Sequence, residues 1–168
     1  MRPLDGITVV ALEQVIAGPF ATRQLAELGA RVIKIERPAG GDTARAYDRT
    51  VKGLSSHFVW VNRSKESLAL DVKHPAAGEI LARLIEKADV FLQNLAPGAA
   101  ERLGLGPSIR KKYLGLIWCG ISGYGPEAKR WSAFSELCCS TPSQNAANSR
   151  SFCTLRKTVC PSPARKGP

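Results

Sequence analysis

Gly6-Ile7-Thr8-Val9-Val10-Ala11-Leu12, then Ala17-Gly18-Pro19-Phe20 running on to Leu28-Gly29, then Arg31-Val32-Ile33-Lys34-Ile35-Glu36-Arg37-Pro38: this opening stretch decides the fold class. The first segment is a short apolar run without polar alternation, as expected of a parallel strand covered on both faces. Pro19 suits the first turn of a helix, and Gly29 suits the residue just past its end. Arg31 to Arg37 reads as a second strand, stopped by Pro38. Together these predict a β-α-β unit, and the handedness of such crossovers brings both strand ends, near Val15 and Arg37, to one edge of a parallel sheet. The class is α/β.

The pattern continues outward from this unit. Pro38 to Gly53, with Gly40-Gly41 and scattered charges, reads as a surface loop. His57–Val61 and Ser67–Val72 are expected as short strands. His74-Pro75 opens a helix whose apolar stripe is Ala77, Ile80, Leu81, Leu84 and Ile85. Asp89–Asn94 is a further strand, followed by a short helix through Ala100 and Leu103 and a last strand over Leu116–Ile121, ending in the turn Ser122-Gly123-Tyr124-Gly125-Pro126.

The chain has 168 residues, 44% hydrophobic and 23% charged, with a formal net charge of +10. This is a globular composition. No apolar run approaches the ~18 residues that cross a bilayer, and MRPLDG has no apolar leader core, so the expectation is a cytoplasmic protein that does not engage a membrane. The charge is uneven: residues 132–168 carry Arg150, Arg156, Lys157, Arg165 and Lys166 against Glu136 alone, and hold Cys138, Cys139, Cys153 and Cys160. Those cysteines match no zinc half-site spacing, and cytoplasmic disulfides are disfavoured. Phe134 and Phe152 are the only rings in that segment, too few for a nucleic-acid stacking surface, so no metal and no nucleic acid are expected.

In a parallel α/β sheet the ligand sits beyond the carboxyl ends of the strands. Those ends carry Val15-Ile16-Ala17-Gly18-Pro19, Arg37, Lys73, Asn94 and Gly123-Tyr124-Gly125. Two cations and a glycine-bearing turn before a helix suit a phosphate-bearing anion; the other reading makes Arg37 and Lys73 ordinary solvated strand ends. There is no Walker motif, Gly104-Leu105-Gly106 reads as a helix stop, His57 and His74 make no metal pair, and no serine sits in a nucleophile elbow.

Taken in order, Pro3-Leu4-Asp5-Gly6, Ala17-Gly18-Pro19-Phe20-Ala21-Thr22, Leu28-Gly29-Ala30, Val32-Ile33-Lys34-Ile35-Glu36-Arg37-Pro38, Gly41-Asp42, Asn62-Arg63-Ser64-Lys65, Leu70-Asp71-Val72-Lys73, Ala88-Asp89-Val90, Asn94, Pro97-Gly98 and Ser122-Gly123-Tyr124-Gly125-Pro126 resemble the N-terminal region of the family III CoA-transferases. This CaiB/BaiF group includes formyl-CoA transferase, carnitine CoA-transferase and α-methylacyl-CoA racemase. The resemblance runs from residue 3 to about residue 126 and implies a Rossmann-like region that binds coenzyme A as a substrate. It implies that Val15 and Ala17 line the CoA site, that Arg37 meets the nucleotide end, that Leu70 and Lys73 hold the adenine and phosphate region, and that Asn94, Leu95 and Arg102 border the thiol arm. Ile16 departs from the polar residue that some members carry.

The family's transferases use an aspartate that attacks the acyl-CoA thioester, and its racemases use a His and an Asp, all beyond the matched stretch. Residues 132–168 contain neither Asp nor His, so no catalytic residue is assigned. The expectation is a truncated transferase: residues 1–126 an α/β CoA-binding region, residues 127–168 a divergent, disordered tail that reads as if translated in another frame or from an alternative terminal exon. The parent reaction would take acyl-CoA and carboxylate substrates in an interlocked homodimer, an assembly that depends on the missing part. The alternatives are a non-catalytic CoA-binding or interaction module, a non-functional product and, within the family, an acyl-CoA racemase.

Overall fold

Thr8–Leu12 forms strand β1, the centre of the sheet, and Val9, Val10 and Ala11 are fully buried. With both faces covered, every position favours an apolar side chain, which is why the segment lacks alternation. The structure, a computed structural model, describes residues 1–123. The domain boundary, the tail with its four cysteines and most of the Ser122–Pro126 turn lie outside the described residues.

Helix α1 (Ala17–Glu27) follows, with Pro19 in its first turn. Gly29 ends it at φ +114°, and a Cβ there would come within 2.6 Å of Asp5 Oδ1. Only glycine combines that backbone with that contact. Strand β2 (Arg31–Glu36) then pairs parallel with β1, Thr8 opposite Arg31 and Ala11 opposite Lys34.

After β2 the chain makes a single 3-10 turn at Thr43–Ala46 and enters helix α2 (Ser56–Asn62). Strand β3 (Glu66–Ala69), helix α3 (Ala77–Glu86), strand β4 (Val90–Gln93), helix α4 (Ala99–Arg102), a second 3-10 turn (Pro107–Lys111) and strand β5 (Ile117–Gly120) complete the described chain. The five strands are all parallel, in the order β3-β2-β1-β4-β5. The α/β class and the parallel sheet are therefore as the sequence implied.

The sheet separates two cores. On one face Val10, Leu12, Ile35, Phe91 and Trp118 pack with Leu81 and Ile85 of α3. On the other, Val9, Val32, Ala26 and Ala30 form a smaller cluster under α1. That smaller cluster leaves room for polar side chains further along the same face, and the site depends on this.

Three expectations need correction. His57–Val61 is helical, because Ser55 Oγ accepts the Phe58 N–H at 3.4 Å and Asp48 accepts the Ser56 N–H at 2.9 Å, so the segment begins with a capped turn that outweighs its β-prone residues. The 38–53 loop is not wholly at the surface, since Asp42 is 2% exposed and Ala44 fully buried. In α3, Ala77, Leu81 and Ile85 face the core at every fourth position, whereas Ile80 is 42% exposed.

This last difference is measurable. Leu81→Ala should lower unfolding stability by roughly 2–5 kcal/mol, while Ile80→Ala should stay within about 0.5 kcal/mol; urea denaturation of the two variants would show it as unequal shifts in midpoint at similar slope.

Candidate functional site

The chain leaves β1 toward β2 and leaves β4 toward β5, so a crevice opens between the carboxyl ends of these two neighbouring strands. Asn94 joins its walls: Nδ2 donates to the Gln14 carbonyl and Oδ1 accepts the Gln14 N–H, both at 2.8 Å. Gly18 packs against that amide, and a Cβ there would stand 2.9 Å from Glu13 Cβ and 3.0 Å from Asn94 Cγ. No side chain fits between helix α1 and the crevice wall.

Of the residues expected at the site, all but Arg102 follow the carboxyl ends of β1, β2, β3 and β4, and Arg102 ends α4. Val15 follows β1 with φ +66° and is half-buried, and its N–H donates to both oxygens of Asp42 at 2.9 and 3.2 Å. Ala17 is the first residue of α1 and exposed. No side chain caps that helix start, and its first turn carries no acid. Arg37 follows β2, exposed, with its guanidinium donating to the Gly41 carbonyl at 3.2 and 3.3 Å. Leu70, just past β3, donates its N–H to the Glu36 carbonyl and packs against the larger core, while Lys73 is exposed in a turn where Asp71 Oδ1 accepts its N–H at 3.0 Å. Leu95 follows β4, its N–H bonded to Gln93 Oε1 at 2.7 Å. Arg102 is exposed in the last turn of α4.

Beside this edge lies a buried ionic network that the sequence reading did not assign to the site. Lys34 Nζ donates to Asp42 Oδ2 at 2.6 Å and to Asn62 Oδ1 at 2.8 Å. Lys65 Nζ donates to Glu13 Oε1 at 2.7 Å, to the Pro19 carbonyl at 2.8 Å and to Asn62 Oδ1 at 3.3 Å. Glu13 also accepts from Thr22 Oγ1 at 2.7 Å. Burial pushes the Lys65 ammonium down to about 8, against the opposing pull of Glu13. Glu36 is pushed up by burial but more than offset by Arg45, the Asp42 N–H and Ser67, so that its carboxyl lies at about 2. A cavity of about 120 Å³ lies over the network, lined by Lys34, Glu36, Arg45, Phe58, Asn62 and Lys65 among others. The available signal was Lys34 itself: a lysine in the middle of an apolar strand covered on both faces must meet a buried partner.

With this geometry in place, the comparisons decide the family. The profile of CoA-transferase family III matches residues 4–137. The chain belongs to CoA-transferase family III. It is 43% identical over 127 residues to succinyl-CoA:glutarate CoA-transferase of Mus musculus, covering 74% of this chain and 29% of that protein. It is 42% identical over 124 residues to acetyl-CoA:oxalate CoA-transferase of Acetobacter aceti, covering 73% and 32%. A CaiB/BaiF family protein from Brucella suis superposes with a TM-score of 0.68 at 32% identity, over 76% of this chain and 35% of that one. The chain thus spans about a third of the length of these family III relatives.

One cluster outside the crevice has the composition of a hydrolase triad. Asp48 accepts from Ser56 Oγ at 2.8 Å and lies 3.1 Å from His57 Nδ1. The serine hydroxyl makes its short bond to the acid and lies 3.5 Å from His57 Nδ1, while that same ring nitrogen is nearer to Asp48, so the Ser-His-acid relay order of a hydrolase is not formed. The backbone N–H groups of Ser56 and Thr50, first of all, hold the Asp48 carboxyl well below the usual range, and the group accepts the first N–H of α2, whose N-cap is Ser55. Among the described residues no three His, Cys, Asp or Glu side chains converge as metal ligands.

Glu36 gives the family III edge an acid-sensitive component. Its carboxyl titrates at about 2 in the folded chain against 4.5 ordinarily, so its contribution is present above pH 4.5 and is lost as pH falls toward 2. Glu36→Gln should therefore lower stability at pH 7 by roughly 1–3 kcal/mol, a figure discounted because Arg45 is partly solvated. The difference from wild type should shrink on acidification, as read by urea unfolding at pH 7, 4.5 and 3.

Proposed function

We propose that this chain forms the CoA-binding end of a family III CoA-transferase whose parent reaction moves CoA from an acyl-CoA to a carboxylate. The observation that carries this reading is the uncapped, acid-free start of α1 beside the β1–β4 crevice, with Arg37 and Lys73 exposed along the same edge. Free N–H groups at a helix start and the helix dipole favour an anion. The relatives' names support the substrate class: each pairs a CoA thioester with a dicarboxylate.

In this reading the backbone at Val15 and Ala17 lines the CoA. Arg37 grips the nucleotide end with its planar fork, and Lys73 adds a mobile point charge beside Leu70 in the adenine and phosphate region. Asn94, Leu95 and Arg102 border the thiol arm. Asn94 has both amide atoms engaged by Gln14, so its part is to shape the wall.

The aspartate proposed for the parent reaction attacks the acyl-CoA carbonyl and releases the CoA thiolate, forming a mixed anhydride. The thiolate then takes over the aspartyl carbonyl and expels the donor acid. The chain's five aspartates are otherwise engaged. Asp5 holds Arg2, Asp42 is buried against Lys34, Asp48 accepts the first N–H of α2, Asp71 shapes the turn of Lys73, and Asp89 bonds the Thr8 N–H at the opposite edge of the sheet. Transfer therefore needs a nucleophile that these residues do not provide.

Calorimetric titration of the 168-residue chain with CoA tests the proposal. Binding is expected, and Arg37→Ala should weaken it about tenfold or more. Ala17→Asp should also weaken it while leaving stability equal or higher, since an acid is favourable at a helix start. No transfer from succinyl-CoA or acetyl-CoA to glutarate or oxalate should be seen. Folded chain that ignores CoA would overturn the reading.

A further inference from the structure

A β-branched residue in the left-handed region is an outlier that needs a cause. Val15 sits there at φ +66°, and it is the residue that turns the chain from β1 into the crevice. Its neighbours explain how it is held. Gln14, on one side, is bonded at both its N–H and its carbonyl by Asn94. The Val15 N–H itself is taken by both carboxylate oxygens of Asp42.

Asp42 in turn has no freedom. Its side chain is 1% exposed; Oδ2 receives Lys34 Nζ at 2.6 Å and Oδ1 receives the Ala44 N–H at 3.0 Å. Its own N–H donates to Glu36 Oε2 at 3.1 Å. The residue before it, Gly41, offers its carbonyl to the Arg37 guanidinium. One dipeptide thus fixes both the backbone at Val15 and the side chain of Arg37, although Asp42 is buried and neither lines the crevice nor faces solvent.

We propose that Asp42 is a positioning residue for the ligand: it holds Val15 left-handed, so that the start of α1 is presented to CoA without rearrangement. The inference rests on the CoA-binding reading. Released from Asp42, a valine occupies the left-handed region even more rarely than the few per cent found for non-glycine residues as a whole. Apparent affinity falls with the population of the competent loop, hence by about tenfold or more.

Removing Asp42 alone would leave Lys34 buried without a counter-charge and endanger the fold, so the test removes both charges. Lys34→Met with Asp42→Asn keeps an acceptor oxygen for the Val15 N–H and should bind CoA within about threefold of wild type. Lys34→Met with Asp42→Leu removes the acceptor and should bind about tenfold or more weakly. Adding Val15→Gly to the latter should recover most of the loss, because glycine enters the left-handed region freely. A merely structural role for Asp42 would show no such recovery. Equal affinity in the Asn and Leu pairs, or no recovery with glycine, overturns the proposal.

Amide hydrogen exchange separates this from the CoA reading. The Val15 N–H should be protected in the wild-type chain without ligand, and protection at residues 14–17 should be lost in the Leu pair but kept in the Asn pair. If the folded chain ignores CoA, the ligand reading fails and the exchange result alone decides the positioning. A freely exchanging Val15 N–H in the wild type overturns it with no variant needed.

Discussion

A single amide oxygen, Asn62 Oδ1, accepts from both Lys34 and Lys65, and the face of the sheet that bears the candidate site is organised around that junction. Each ammonium also meets a carboxylate, Asp42 for Lys34 and Glu13 for Lys65, with all four side chains at most 2% exposed. The residues come from different elements: Glu13 extends β1, Lys34 lies in β2, Asp42 in the following loop, Asn62 at the end of α2, and Lys65 just before β3. Thr22 brings in α1 through Glu13. No buried side-chain nitrogen or oxygen among the described residues lacks a partner. A half-satisfied network of this kind would be worse than an apolar core, whereas a complete one specifies a single arrangement of its parts.

The two faces of the sheet are therefore held by different means. Under α3, packing of Phe91, Leu81 and Ile85 relies on volume and is tolerant of small adjustments. Beside α1 and α2 the adhesion is directional, and moving β1, β2 or the entry to β3 breaks charged hydrogen bonds. The β1–α1 turn grows out of the directional face, and its backbone is gripped by Asn94 at Gln14 and by Asp42 at Val15. A turn made largely of small and apolar residues acquires rigidity from side chains behind it, which is the pre-organisation that the proposed CoA site calls for.

Much of this was legible in the sequence, and the parts that were not share a reason. The β-α-β unit could be read because its signals are local: an apolar run at Thr8–Leu12, Pro19 in a first turn, Gly29 past a last one. The edge bearing Val15, Arg37, Lys73 and Asn94 followed from the geometry of parallel sheets. Helix α2 was missed because Phe58, Val59, Trp60 and Val61 look like a strand, and the Asp48 that bonds its first N–H lies eight residues upstream. The ionic network was missed because its partners are 28 and 52 residues apart, Lys34 to Asn62 and Lys65 to Glu13. No periodicity encodes such distances. Asp42, beside two glycines, had the look of a loop residue.

The net charge of +10 takes on a different meaning once pairs are assigned. Lys34, Lys65 and Arg45 are neutralised by Asp42, Glu13 and Glu36, and Arg2, Arg23, Arg31 and Arg63 also meet carboxylates. Basic residues in the interior thus add nothing to the field seen by an approaching anion. Arg37, Lys73 and Arg102 form no ion pair among the described residues, and neither do other surface cations such as Lys87. Position distinguishes the first two: they follow the carboxyl ends of β2 and β3, on the same edge as the bare start of α1. A low-dielectric wall, an uncapped helix start and unpaired cations on one edge concentrate positive potential there. The buried lysines shape that edge without adding to its charge, because each is matched within the protein before a ligand arrives.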